Sequence, residues 1–148
     1  MTNLNKIALV ISQFNEPITS IMKAQAIDAF DEIFDKEHQL VIYEVPGAVE
    51  LPFIQQQVIL HDVSVKGVLV MGCVIQGETD HYDYVCQMVS KGCMDVSLKH
   101  HVPMGFGVIT AQNFKLAKAR CSEEKSKARE TVQALYNLMQ INKVVKEA

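Results

Sequence analysis

The residues Val74-Ile75-Gln76-Gly77-Glu78-Thr79-Asp80-His81-Tyr82-Asp83-Tyr84-Val85 join an apolar run to a glycine, several polar residues and a histidine. A strand that ends in such a turn and leads into a helix aims free backbone N–H groups at an anion, with an imidazole within one helical turn of it. Phosphate chemistry is the natural reading of this stretch. His81 is the natural proton carrier beside it, because an imidazole with an unperturbed pKa of about 6.5 gives and takes protons at neutral pH. Taken alone, the same pattern also fits an exposed histidine next to an ordinary turn. Two further residues have chemistry to offer. Phe14, in the polar stretch Ser12-Gln13-Phe14-Asn15, has no obvious core to join and presents a face on which a flat heteroaromatic can lie. Glu50, closing Val45-Pro46-Gly47-Ala48-Val49-Glu50, reads either as a first-turn residue favouring a helix dipole or as an acceptor for ring N–H and amine groups.

These residues need a scaffold that brings them to one place. Residues 7–11, 40–43, 65–75 and 104–109 are short runs rich in β-branched side chains and bounded by turn residues, which predicts strands. Their near-continuous apolar character predicts cover on both faces, as in a parallel sheet. Ile18, Met22, Ala26, Ala29, Phe30 and Ile33 recur at helical spacing after Asn15-Glu16-Pro17, which reads as a cap followed by a first-turn proline. Further helices are predicted over 49–60, 80–99, 112–120 and 122–145. The order βαβαβαβαα predicts an α/β, three-layer, flavodoxin-like domain with a four-stranded parallel sheet flanked by helices. Ligands of such sheets bind outside the carboxyl ends of the strands, where Phe14, Glu50, the Gly77 turn and Gly105-Phe106-Gly107 all fall.

Composition sets the outer limits. With 148 residues, 49% of them apolar and 21% charged, the chain suits one domain spanning 1–148. A net charge of −3 and the lack of any Lys/Arg-rich run argue against nucleic-acid or membrane-surface roles. No apolar run reaches the length of a membrane span or a secretory leader, so a cytoplasmic location is expected. Cys73, Cys86, Cys93 and Cys121 match neither a redox pair nor zinc-ligand spacing and read as small buried hydrophobes. His100-His101 closes a helix, where a cation complements the dipole, while His38 and His61 read as loop residues. Tyr82, Asp83 and Tyr84 read as helix-start and packing residues.

At this point the chain resembles the lumazine synthase family of riboflavin biosynthesis. The matching pieces are SQFNEPIT (12–19), VPGAVELP (45–52), GCVIQGETDHYDYVCQMVSKG (72–92), VPMGFGVIT (102–110) and Arg120 in the helix that follows. The third is the most specific, and the set runs from the first strand past the last. The resemblance implies condensation of 5-amino-6-(D-ribitylamino)uracil with 3,4-dihydroxy-2-butanone 4-phosphate, giving 6,7-dimethyl-8-ribityllumazine, phosphate and water, with no metal or organic cofactor. It implies that Phe14 stacks on the pyrimidinedione and that Ala48, Val49 and Glu50 serve the ribityl chain. Cys73, Val74 and Ile75 then pass along the heterocycle, and Phe106 reaches the ring from a neighbouring subunit. Gly77, Glu78 and Thr79 hold the phosphate together with the neighbour's Arg120, whose guanidinium fork pairs two oxygens at once. His81 becomes the general acid/base.

Three departures from the family pattern stand out. Val49 takes a place usually aromatic, and Gln76 one that is often arginine. After Arg120 the usual glycine- and lysine-containing kink is replaced by Cys121-Ser122-Glu123-Glu124-Lys125-Ser126-Lys127-Ala128-Arg129, and one inserted residue puts Lys125 and Arg129 where the family carries lysines. The family forms rings of five, and some members close twelve rings into a shell. Loss of the kink glycine predicts a homopentamer, or two joined as a decamer, over the sixty-subunit shell. Two other functions share the scaffold: the archaeal type of riboflavin synthase, which dismutates the lumazine, and a non-catalytic ligand-binding or shell protein. The match around His81 argues against the first, and the joint presence of Phe14, His81 and Arg120 against the second.

Overall fold

The computed structural model describes residues 4–78 and 80–148. Strand β1 (Asn5–Ser12) leads to α1 (Glu16–Ile33), β2 (His38–Val45), a 3-10 turn (Ala48–Glu50) and α2 (Leu51–His61). Next come β3 (Val65–Ile75), α3 (His81–His100), β4 (Met104–Ala111), α4 (Phe114–Ala119) and α5 (Lys127–Glu147). The strands form one parallel sheet in the order β2-β1-β3-β4. Alternation along β1 sends Ile7, Leu9 and Ile11 to a layer built with α1, α4 and α5, and Ala8 and Val10 to a layer built with α2 and α3. This is the expected three-layer α/β arrangement.

Where local boundaries differ from expectation, a specific hydrogen bond explains the difference. The helix predicted over 49–60 begins as the 3-10 turn, because the Glu50 carboxylate accepts the Gly47 N–H at 2.9 Å and tightens the chain before α2. Asn113 Oδ1 accepts the Leu116 N–H at 2.9 Å and fixes the start of α4. Ser126 Oγ accepts the Arg129 N–H at 3.1 Å, so α5 starts at Lys127 and residues 120–126 are a turn instead of helix. Strand β2 lies at a sheet edge, and Leu40, Val41 and Ile42 are only half-buried where cover on both faces was expected. His38 and His61, expected in loops, open β2 and close α2; His38 Nδ1 lies 2.9 Å from Asp35 Oδ1. Of the four cysteines, Cys86 is half-buried and the other three are buried as expected.

At the amino ends of β1 and β3, Asp62 accepts hydrogen bonds from Ser64 and from Lys6 Nζ, the latter at 3.0 Å. The Ser64 and Lys6 donors hold its carboxyl down to about 2. Among the described residues, no helix is long and apolar enough to cross a membrane.

Helix α5 lies against β4 because Gly105 and Gly107 have no side chains. A Cβ at Gly105 would meet the Thr131 carbonyl oxygen at 2.9 Å, and one at Gly107 would meet Thr131 Oγ1 at 2.6 Å. Thr131 cannot turn away, since its hydroxyl donates to the Lys127 carbonyl at 2.6 Å. Gly105→Ala should therefore push α5 off the sheet and lower unfolding stability by about 1–3 kcal/mol, as overpacking does. Urea titration of the purified variant measures it.

Candidate active site

The sheet order places its topological switch point between β1 and β3, since β1 connects onward to β2 on one side and the later strands extend from the other. A cavity of about 290 Å³ opens there, lined by Phe14, Asn15, Gly47 to Glu50, Cys73 to Ile75, Gly77, His81, Tyr82 and Val85. That volume lies at the small end of the range for small-molecule sites, roughly 300–1,000 Å³. One ring system fits within it. A larger ligand must extend beyond this chain's own walls.

Each wall has a local cause. The loop after β1 runs beside the end of β2, with Gln13 N–H donating to the Val45 carbonyl at 2.8 Å and Phe14 N–H to the Pro46 carbonyl at 3.0 Å. Phe14 is left 71% exposed, a ring on a rim with no core around it. The next residue, Asn15, takes the left-handed conformation (φ 63°, ψ 49°), which asparagine tolerates better than most residues. Its backbone carbonyl accepts the Ile18 and Thr19 N–H groups at 2.9 and 3.0 Å and starts α1. Its side chain makes no cap hydrogen bond, contrary to the capping role expected of it; Nδ2 instead donates to the Cys73 carbonyl at 2.8 Å.

The ladder between β1 and β3 ends at Ile11↔Met71, while that between β3 and β4 continues to Ile75↔Ala111. Gly72 to Ile75 therefore present a backbone edge to the cavity that no strand covers. Gly77 stands beside open space, where an added Cβ would meet nothing within 4 Å, and its φ is not positive. His81 is the first residue of α3, so its imidazole stands at the positive end of that helix's dipole. Tyr82, read from sequence as a packing residue, also lines the cavity, with Thr110 and Cys86 near its hydroxyl. Burial pushes its phenol up.

The structure thus brings together Phe14, Ala48, Val49, Glu50, Cys73, Val74, Ile75, Gly77 and His81. Glu78 is exposed and is not among the lining residues, and Thr79 lies outside the described residues. Phe106 is a half-buried residue of β4 packed toward α2 and α3. Arg120 caps the end of α4, exposed; its carbonyl accepts the Lys127 N–H at 2.8 Å. Lys125 is exposed in the turn after Arg120, and Arg129 pairs with Glu32 of α1 at 2.9 Å. None of these four lines the cavity. Asn15, Gly47, Tyr82 and Val85 do, and sequence reasoning had given them no site role. For Asn15, its place between an exposed aromatic and a helix start was the available signal.

Cys73 is the one sulfur in the lining, and burial, followed by the nearby Cys121, pushes its thiol up to about 12. It is a neutral wall at physiological pH, with none of the thiolate that nucleophilic attack needs. Iodoacetamide at pH 7.5 should leave Cys73 unmodified in the native protein, as mass spectrometry of the digested product will show.

A family model described as 6,7-dimethyl-8-ribityllumazine synthase matches residues 5–143. Proteins named 6,7-dimethyl-8-ribityllumazine synthase are similar along almost all of their length. That of Limosilactobacillus reuteri (strain DSM 20016) is 36% identical over 141 residues, covering 95% of this chain and 91% of that protein. That of Coxiella burnetii (strain CbuG_Q212) is 36% identical, covering 95% and 93%. That of Helicobacter pylori (strain Shi470) is 37% identical over 142 residues, covering 95% and 90%.

Proposed function

The chain belongs to the 6,7-dimethyl-8-ribityllumazine synthase family, and we propose that it condenses 5-amino-6-(D-ribitylamino)uracil with 3,4-dihydroxy-2-butanone 4-phosphate in riboflavin biosynthesis, residues 1–148 acting as one domain. The observation that carries this reading is the cavity at the switch point, where the Phe14 platform, the uncovered edge of β3 and His81 meet. The uracil ring lies on Phe14 with its polar edge along Cys73 to Ile75. Its ribityl chain runs toward Ala48, Val49 and Glu50. The phosphate is assigned to Gly77, Glu78 and Thr79, with Arg120 of a neighbouring subunit as the second jaw. Phe106 of a neighbour closes the ring site. Val49 offers less face than an aromatic residue would. Lys125 and Arg129 are assigned no contact, and the Glu32 pairing gives Arg129 a structural occupation.

The amine of the uracil attacks the butanone carbonyl and a first water leaves as the imine forms; phosphate is then eliminated, the resulting enol tautomerises to a carbonyl, and the second amine attacks that carbonyl and closes the ring with loss of a second water. Each step moves protons among nitrogen, oxygen and carbon, and His81 is the cavity's histidine. Holding both reactants in one cavity contributes as well, since effective molarities of well-placed groups reach roughly 10⁵ M.

The working unit is a cytoplasmic homopentamer, with a pair of pentamers as the second assembly that fits. Two observations support this. Phe106 and Arg120 stand outside the cavity of their own chain, and a groove between α3 and α5 leaves Leu98, Leu138, Ile141 and Val145 exposed, apolar surface of the kind that subunit contact covers. The turn over 120–126 is also pinned, with Gln25 Nε2 donating to the Cys121 carbonyl at 2.6 Å and Ser126 Oγ to Gln25 Oε1 at 2.9 Å.

Mixing the protein with both substrates should produce the lumazine chromophore and free phosphate together; absence of either refutes the reaction. His81→Ala should lower kcat by about 10² or more with little change in KM, and turnover equal to the parent's would remove His81 from the mechanism. Light scattering should give five times the 16.6 kDa chain mass, or ten times for the paired form. Hollow particles of sixty chains would overturn the reading of residues 121–129.

A further inference from the structure

We propose that Asn15 is a positioning residue for recognition of the uracil ring, acting through the Cys73 carbonyl and through Phe14. The proposal rests on the uracil substrate assigned above.

Asn15 combines three features. It is held in the left-handed region at φ 63°, it follows the exposed Phe14, and its amide bridges from the end of β1 to the Cys73 carbonyl at 2.8 Å. The bridge spans the place where β1 and β3 part, one register step and more beyond Ile11↔Met71. Only Nδ2 can face a carbonyl, so the bridge fixes the amide's orientation and leaves Oδ1 turned away from Cys73. In an extended strand the N–H and C=O of one residue point to the same side, and those of alternate residues share it. The Cys73 carbonyl points to the side β1 leaves open, and so do the N–H groups of Cys73 and Ile75 and the carbonyl of Ile75.

A uracil edge alternates C=O, N–H and C=O. It needs donors separated by an acceptor. By taking one lone pair of the Cys73 carbonyl, the Asn15 amide fixes in place the acceptor that stands between the Cys73 and Ile75 N–H donors, and the carbonyl's second lone pair meets the ring N–H. The same bridge clamps the loop that carries Phe14, so platform and edge keep one spacing. A ring whose edge offers N–H groups where uracil has carbonyls meets donor against donor.

The variants separate this from a general structural role. Asn15→Gly keeps the left-handed backbone free of strain and deletes only the bridge, so it is expected to fold. Asn15→Asp places a carboxylate against the Cys73 carbonyl. For each, KM for 5-amino-6-(D-ribitylamino)uracil, KM for the phosphorylated butanone, kcat and melting temperature are measured, and 6,7-dimethyl-8-ribityllumazine binding is titrated by fluorescence. Loss of a hydrogen bond that organises the edge predicts about a tenfold rise in KM for the uracil and in the lumazine Kd in Asn15→Gly. Asn15→Asp should show a larger rise. kcat and KM for the phosphorylated substrate should stay within about threefold.

A uracil KM and lumazine Kd equal to the parent's in Asn15→Gly overturn the proposal. So does a loss confined to kcat with a lowered melting temperature, the signature of a smaller folded fraction. A parent protein that neither turns over nor binds the lumazine overturns the assigned reaction, and the role of Asn15 with it; a competent parent with unaffected variants overturns Asn15 alone.

Discussion

The ladder between β1 and β3 stops at Ile11↔Met71, and the site exists because β3 continues for four residues beyond it. Backbone groups inside a protein require partners. On one side those of the β3 extension are met by β4, through Ile75↔Ala111. On the other, the chain leaving β1 turns away toward β2, drawn by hydrogen bonds from Gln13 and Phe14 to Val45 and Pro46. The split edge that results leaves backbone groups of β3 without a strand partner and makes them part of the cavity wall. A single side-chain amide from Asn15 closes part of it, and the rest faces the cavity.

Everything that holds the split in place is ordinary α/β packing. Alternating residues of the central strands feed two apolar layers, one under α1, α4 and α5 and the other under α2 and α3. The Glu50 carboxylate draws in Gly47 and shapes the wall beside Phe14, and the close seat of α5 on Gly105 and Gly107 holds β4, against which the β3 extension is paired. The binding surface therefore inherits the rigidity of the sheet even though most of its residues lie in turns.

Much of this was legible in the residues. Runs of β-branched side chains marked all four strands, and the rule that ligands sit past strand carboxyl ends selected Phe14, Glu50, Gly77 and His81, which the cavity brings together. What escaped was set by single polar contacts. Helix starts moved to Leu51, Phe114 and Lys127 because Glu50, Asn113 and Ser126 engage backbone N–H groups, and propensity carries no record of which such contacts form. Asn15 looks like a cap in one dimension; its amide turns to Cys73 only because the fold brings a carbonyl 58 residues away within reach. Phe106, Arg120, Lys125 and Arg129 came from family resemblance, and within one chain they lie outside the cavity.

The carboxylate of Asp62, bonded to Ser64 and Lys6, sits at the opposite rim of the sheet from the cavity. Because its folded carboxyl titrates near 2 and an unfolded one near 3.8, its contribution to stability is complete above the latter and fades as acidity carries the protein through the former. The exposure of the group keeps that contribution small. The two ends of the sheet thereby differ, a charged pair tying the amino ends of β1 and β3 together and an open backbone edge standing at the carboxyl ends. Exchange of Lys6 or Asp62 at the amino rim touches none of the residues that line the cavity.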